Sequence, residues 1–144
     1  INPRGKFEAS NSEFVLDGAA NVRVTRKDVA EIQLAKSAIR TGIDLLLAQA
    51  GISADSIEQF IIAGAFGTYI NVGSAIRIGM FPDLPRDRFV QIGNAAGVGA
   101  WHLLVSNQLR QQADKIARDI HYLELTTHPH FQDTFVDRMA LRQE

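Results

Sequence analysis

Cysteine is absent from the 144 residues. That excludes disulfides, thiol catalysis and any iron–sulfur cluster or zinc site held by cysteine within this chain. It also fits a cytoplasmic protein. No apolar run reaches the ~18 residues that a membrane-spanning helix needs. No apolar stretch follows the opening Ile1-Asn2-Pro3-Arg4-Gly5-Lys6, so a secretory signal is not expected. An excess of charge of one sign is lacking too. Fifteen basic and 16 acidic side chains give a net charge of −1, with no long-range pull toward nucleic acid or an anionic membrane.

Several catalytic signatures are also missing. Gly-Lys-Ser and Gly-Lys-Thr occur nowhere, which removes the lysine phosphate loop. Gly93, Gly97 and Gly99 do not have dinucleotide-fingerprint spacing. Ser74 and Ser106 lack a nucleophile-elbow context. No carboxylate stands in a glycine-rich loop straight after an apolar strand, yet hydrolysis of a magnesium nucleotide needs carboxylate help. If such a chain touches ATP, it holds the base and ribose and not the reacting phosphates.

What is present suits a single α/β domain over residues 1–144. Hydrophobic residues make up 46% and charged residues 22%. A chain of this length buries roughly 68–70% of its unfolded surface. Residues 1–12 read as a loose lead-in. Phe14–Leu16 and Val22–Val24 read as strands joined across Asp17–Asn21. Thr25 is a helix N-cap with Asp28 as its capping-box partner, and Gly51 closes that helix. Gly42 inside it asks for a close crossing by another element. A strand over 60–63 leads to a turn at Gly64–Gly67, and Asn71 caps a short helix ending near Met80. A strand over 89–92 leads into a second long helix over Val98–Ile120. Val98, Trp101, Leu104 or Val105, Leu109, Ala113, Ile116 and Ile120 would form its buried face. His121–Leu125 is a further strand candidate, and Phe131, Phe135 and Met139 mark a last short helix. Strands alternating with helices predict a mainly parallel sheet flanked by helices.

The two strand exits carry the chemistry. Phe60-Ile61-Ile62-Ala63 runs into Gly64-Ala65-Phe66-Gly67, and Phe89-Val90-Gln91-Ile92 runs into Gly93-Asn94-Ala95-Ala96-Gly97. Small residues there let a backbone or a ligand approach closely. Ligands of open α/β sheets bind outside the carboxyl ends of the strands. The pattern suits a nucleotide site, and it equally suits tight helix–sheet packing. His128-Pro129-His130 offers two metal ligands or a polar loop.

The runs 60–67 and 91–100 resemble the adenosine motif and the second connecting motif of the actin, sugar-kinase and heat-shock chaperone superfamily. The order Val24–Val29, Gln33–Ile39, Ala63–Gly67, Ile78–Pro82, Gly93–Ala100 and Glu124-Leu125 is similar to the C-terminal domain of reductive activators of corrinoid proteins. That resemblance covers about residues 14–141. It implies a ribonuclease H-like lobe with a mixed, mainly parallel sheet. It also implies a larger iron–sulfur parent, to which the opening at Ile1 rather than methionine would belong as an excised domain. Such parents use ATP with magnesium, and a two-iron two-sulfur cluster on another domain, to reduce cobalt(II) corrinoid to cobalt(I). Gly64, Ala65, Phe66 and Gly67 would then approach the adenosine. Gln33 and Lys36 would flank the base or ribose, and Asn94 and Gly97 would form the hinge crossing. The implied partners are a corrinoid protein and the remaining domains of the parent, with neither nucleic acid nor membrane; a homodimer stays open. Two alternatives stay open as well: an interaction or dimerisation domain without catalysis, and the ATPase activator of a radical dehydratase. The absence of cysteine weighs against the second.

Overall fold

Thr25 sets the start of the longest element. Its backbone is extended, its hydroxyl accepts from the Asp28 amide at 3.2 Å, and its own amide donates to Asp28 Oδ2 at 2.8 Å. Two orphan amides of the first turn are satisfied reciprocally. In the computed structural model, which describes residues 13–17 and 19–141, the helix α1 then runs Arg26–Ala50 for 25 residues. Gly51, left-handed at φ 66°, ends it by donating to the Leu47 and Ala48 carbonyls. The lead-in over 1–12 lies outside the described residues, as does Gly18 of the first turn.

Before α1, β1 (Glu13–Asp17) and β2 (Val22–Thr25) form an antiparallel hairpin. Asp17 Oδ1 accepts from the Ala19 and Ala20 amides, which shapes the turn. After α1 come β3 (Phe60–Ala63), α2 (Ala65–Tyr69), α3 (Val72–Arg77), β4 (Phe89–Gly93), α4 (Ala95–Val105), α5 (Asn107–Asp119) and α6 (Phe131–Asp137). β3 and β4 pair in parallel. The expected single sheet is thus two separate pairs among the described residues, β1–β2 and β3–β4.

The core lies on one face of β3 and β4. Ile62, Ala75 and Phe81 are buried, with Phe60, Ile70, Val72, Met80 and Phe89 packed around them. Phe60 sits 5.1 Å, ring centre to ring centre, from both Phe81 and Phe89. Such offset aromatic pairs add about 0.5–1.5 kcal/mol beyond their buried area. Asn71 caps α3 as expected, accepting from the Ser74 amide at 2.9 Å. The helix stops at Arg77, where Gly79 at φ 79° turns the chain and the Met80 amide returns to the Ala75 carbonyl at 2.9 Å.

Two sequence expectations are corrected. The long helix over Val98–Ile120 is broken at Ser106, whose backbone is extended at φ −139° and ψ 117°. The Ser106 amide closes α4 on the His102 carbonyl, and its hydroxyl caps α5 by accepting from the Leu109 amide at 3.3 Å. Arg110 then donates to the Leu103 and Leu104 carbonyls left over at the end of α4. Serine competes with helix by offering local hydrogen bonds of this kind. The stripe expected to be buried is exposed at Val98, Trp101, Leu104, Ile116 and Ile120. Second, 121–125 forms no strand. Glu124 instead bonds locally to Tyr122 and Thr126. Leu125 packs over Gly42, where a Cβ would lie 3.5 Å from Leu125 Cδ1 in ordinary van der Waals contact.

Replacing Thr25 with alanine should lower stability by about 1 kcal/mol, read by denaturant titration. Hydrogen bonds from Thr25 hold the Asp28 carboxyl below its ordinary range. Because the folded value lies below the unfolded one, this contribution is complete above the unfolded pKa and fades as pH falls through the folded value. Asp28→Asn should therefore destabilise at neutral pH, with the gap to the native protein closing below about pH 4.

Candidate functional site

β3 and β4 begin in register, Phe60 against Phe89, but β4 gains one residue near its end, so that Ala63 stands opposite Gly93. The two exits therefore meet. The Gly64 amide donates to the Gly93 carbonyl at 2.6 Å. Gly64 lies at φ 90° and ψ 165°, and Gly93 at φ 61°. The first is a region that only glycine adopts without strain of order 1–3 kcal/mol. A Cβ on Gly64 would meet nothing within 4 Å among the described residues.

Gly67 has a different role. It lies inside α2, is buried, and a Cβ there would stand 2.5 Å from Ile62 Cγ2. It seats the helix on β3. Gln91 secures the same helix from β4, donating through Nε2 to the Gly67 carbonyl and, at 3.0 Å, to the Ile70 carbonyl. Thr68 Oγ1 closes the turn on the Gly64 carbonyl at 3.3 Å. Ala65 and Phe66 begin the helix itself. On the other exit, Asn94 caps α4, its Oδ1 accepting from the Gly97 amide at 2.9 Å. A Cβ on Gly97 would collide with the Asn94 amide group, so glycine at 97 makes room for the cap.

Gln33 and Lys36 form a second cluster, on α1 against the C-terminal segment. Gln33 Nε2 donates to the Met139 carbonyl at 3.1 Å and Lys36 Nζ to the Ala140 carbonyl at 2.5 Å. Ser37 Oγ donates to the Phe135 carbonyl. Asp44 joins the same face, bridging Arg40 at 2.8 Å and Arg138 at 2.7 Å. Lys36 is only 2% exposed. Burial first, then the Arg138 and Arg40 charges, pushes its ammonium below the ordinary lysine range. Both donors expected beside a base or ribose are thus engaged with backbone carbonyls of the tail that follows the last helix.

Sequence reading placed Gly93 in the second exit and gave no individual role to Gln91, Ser37, Arg40 or Asp44. Gln91 had a signal, as the single polar residue in the strand Phe-Val-Gln-Ile-Gly. The histidine pair is a local turn, with the His130 amide donating to His128 Nδ1 at 3.2 Å. Among the described residues no group of three His, Asp or Glu side chains is placed to hold a metal ion, and no helix is long and apolar enough to cross a membrane. Trp101 is exposed and lies against His102, at 5.3 Å between ring centres.

Residues 2–144 match the family described as the C-terminal domain of RACo, the ASKHA domain. The chain belongs to this family. It is 40% identical over 116 residues to the corrinoid activation enzyme RamQ of Eubacterium limosum, covering 81% of this chain and 20% of that protein. It is 29% identical over 110 residues to the Co(II) methylated amine-specific corrinoid protein reductase of Methanosarcina barkeri, covering 76% of this chain and 20% of that one. A solved structure of a reductive activator for corrinoid, iron–sulfur protein superposes with a TM-score of 0.79 at 35% identity, over 90% of this chain and 22% of that chain. As an ASKHA domain the chain has the fold class that its strand exits suggested. It spans about a fifth of the length of these relatives.

Gly67→Val should cost about 1–3 kcal/mol through overpacking against Ile62. In an Ile62→Ala background the penalty should shrink by more than about 0.5 kcal/mol, as a double-mutant cycle would show. Lys36 gives a pH signature. Its folded pKa lies below its unfolded one, so the folded state gains stability as pH rises from the folded value toward about 10.4. Relative to Lys36→Met, the native chain should gain on that climb, and urea midpoints measured from pH 7 to 10.5 would record it.

Proposed function

We propose that this domain is the C-terminal nucleotide-binding lobe of an ATP-dependent iron–sulfur activator that reduces cobalt(II) corrinoid to cobalt(I) on a methyl-transfer protein. The observation that carries the site is the meeting of the two glycine exits. The Gly64 backbone, tied to Gly93 and bare on its open side, offers an adenosine an approach that a side chain would close. Family membership and the names of the relatives support the reaction class.

In this reading Gly64 and Ala65 lie along the adenosine, and Phe66 begins the helix beside it. Gly67 and Gln91 position that helix from beneath. Asn94 and Gly97 fix the start of α4, where the chain would cross toward a second lobe. Gln33 and Lys36 reach a nucleotide only where the C-terminal segment leaves them. The chain presents no phosphate loop of its own, so the phosphates and their magnesium would be held by other parts of the protein. The cluster belongs there too, since no cysteine is present. ATP would supply differential affinity for two arrangements of the lobes, which is what allows a ligand to bias a conformational equilibrium.

Irradiating the full-length protein with an azido-adenosine nucleotide should label the segment 63–69, and excess ATP should suppress the label. Labelling confined to other segments would move the adenosine away from Gly64. The 144-residue domain alone should release no phosphate from magnesium ATP. Release by the isolated domain would show that the reacting phosphates need nothing beyond it.

A further inference from the structure

Thr68 stands at the junction of the two exits. It follows Gly67 in α2, is exposed, and donates its hydroxyl proton to the Gly64 carbonyl at 3.3 Å. A Cβ on Gly93 would lie 3.7 Å from the same oxygen, so one hydroxyl borders both exits. Gln91 holds the chain on either side of it, at the Gly67 and Ile70 carbonyls. The hydroxyl is therefore presented from a fixed backbone, which lowers the ordering cost of binding a ligand there.

Its neighbours decide what it offers. The Gly64 amide is committed to the Gly93 carbonyl. Ala63, Ala65, Ala95 and Ala96 bring no polar side chain. Asn94 already accepts from the Gly97 amide through its side-chain oxygen. Within 63–68 and 93–97, Thr68 Oγ1 is thus the side-chain oxygen that accepts no hydrogen bond from the described residues. A hydroxyl carries one proton and two lone pairs. With the proton directed at the Gly64 carbonyl, the lone pairs are what a ligand meets. A ligand atom at this point must therefore be a donor.

Purines differ in this respect. Adenine carries an amino group at position 6, whereas guanine and hypoxanthine carry an oxygen. We infer that Thr68 is a base-reading residue, whose hydroxyl accepts from the 6-amino group of an adenine and discriminates against 6-oxo purines. The inference rests on the adenosine site proposed above. A 6-oxo purine would set lone pair against lone pair, unless the hydroxyl turned and gave up its bond to Gly64.

Affinities of the full-length protein for magnesium ATP and magnesium inosine triphosphate test this, with the azido-adenosine label marking the site. The native protein should prefer ATP. Thr68→Val exchanges the hydroxyl for a methyl group of similar shape; it should weaken ATP about fivefold, leave inosine triphosphate within about twofold, and so collapse the preference. Thr68→Ala should give the same ratio, and Thr68→Ser should restore the native one. Equal weakening of both nucleotides would mean that the hydroxyl only supports Gly64, and would overturn the inference. No native preference, or a preference unchanged in Thr68→Val and Thr68→Ala, would overturn it too. Label at 63–69 with unchanged selectivity sinks only the base reading, whereas label confined elsewhere sinks the adenosine site with it. Cobalt(II) reduction, assayed on the same preparation, reports on the proposed activity separately.

Discussion

The packing of Phe60 on Phe81 and Phe89 is the contact on which the rest of the site depends. Phe60 and Phe89 are the first residues of β3 and β4, and they stand opposite one another. Anchoring both strands at their starts fixes where both end. One additional residue in β4 then brings the Gly93 carbonyl to the Gly64 amide. Phe81 belongs to the loop after α3, and Arg40 of α1 donates to its carbonyl at 3.0 Å. The same ring cluster therefore connects the long helix, the loop and the two strand exits. A slip of one residue would move Phe60 to the opposite face and part the glycines.

The glycines of the exits divide between two causes. At Gly64 the backbone conformation demands glycine, and a Cβ would meet none of the described residues within 4 Å. At Gly67 the conformation is ordinary helix and the demand is steric, from Ile62. At Gly97 the constraint is the capping side chain of Asn94. A sequence shows one letter for all three. Of these three, Gly64 alone couples a special conformation to an open side, and the proposed adenosine site rests on it.

Local grammar was the legible part of the fold. The Thr25–Asp28 capping box, the Gly51 terminus, the Asn71 cap and the strands at 60 and 89 depend on neighbours a few residues away. The superfamily was legible because two small-residue exits recur in a fixed order. The break at Ser106 was not, because the apolar spacing continues through it; the decision is made by an extended serine and by Arg110 reaching back to the α4 carbonyls. The grip of Gln33, Lys36 and Ser37 on the tail was hidden for another reason. Their partners lie about a hundred positions away in sequence, at separations of 106, 104 and 98.

That grip has an asymmetric consequence for sequence drift. Gln33, Lys36 and Ser37 give three side-chain donors, yet what they hold are the main-chain carbonyls of Met139, Ala140 and Phe135. A carbonyl is present whatever residue occupies the position. At these three contacts the recognition is therefore written on only one of the two partners. The side chains of Met139 and Ala140 are free to diverge as long as the backbone keeps its path, whereas Arg138 is tied to Asp44 through its own side chain and a change at any of the three donors on α1 is felt at once.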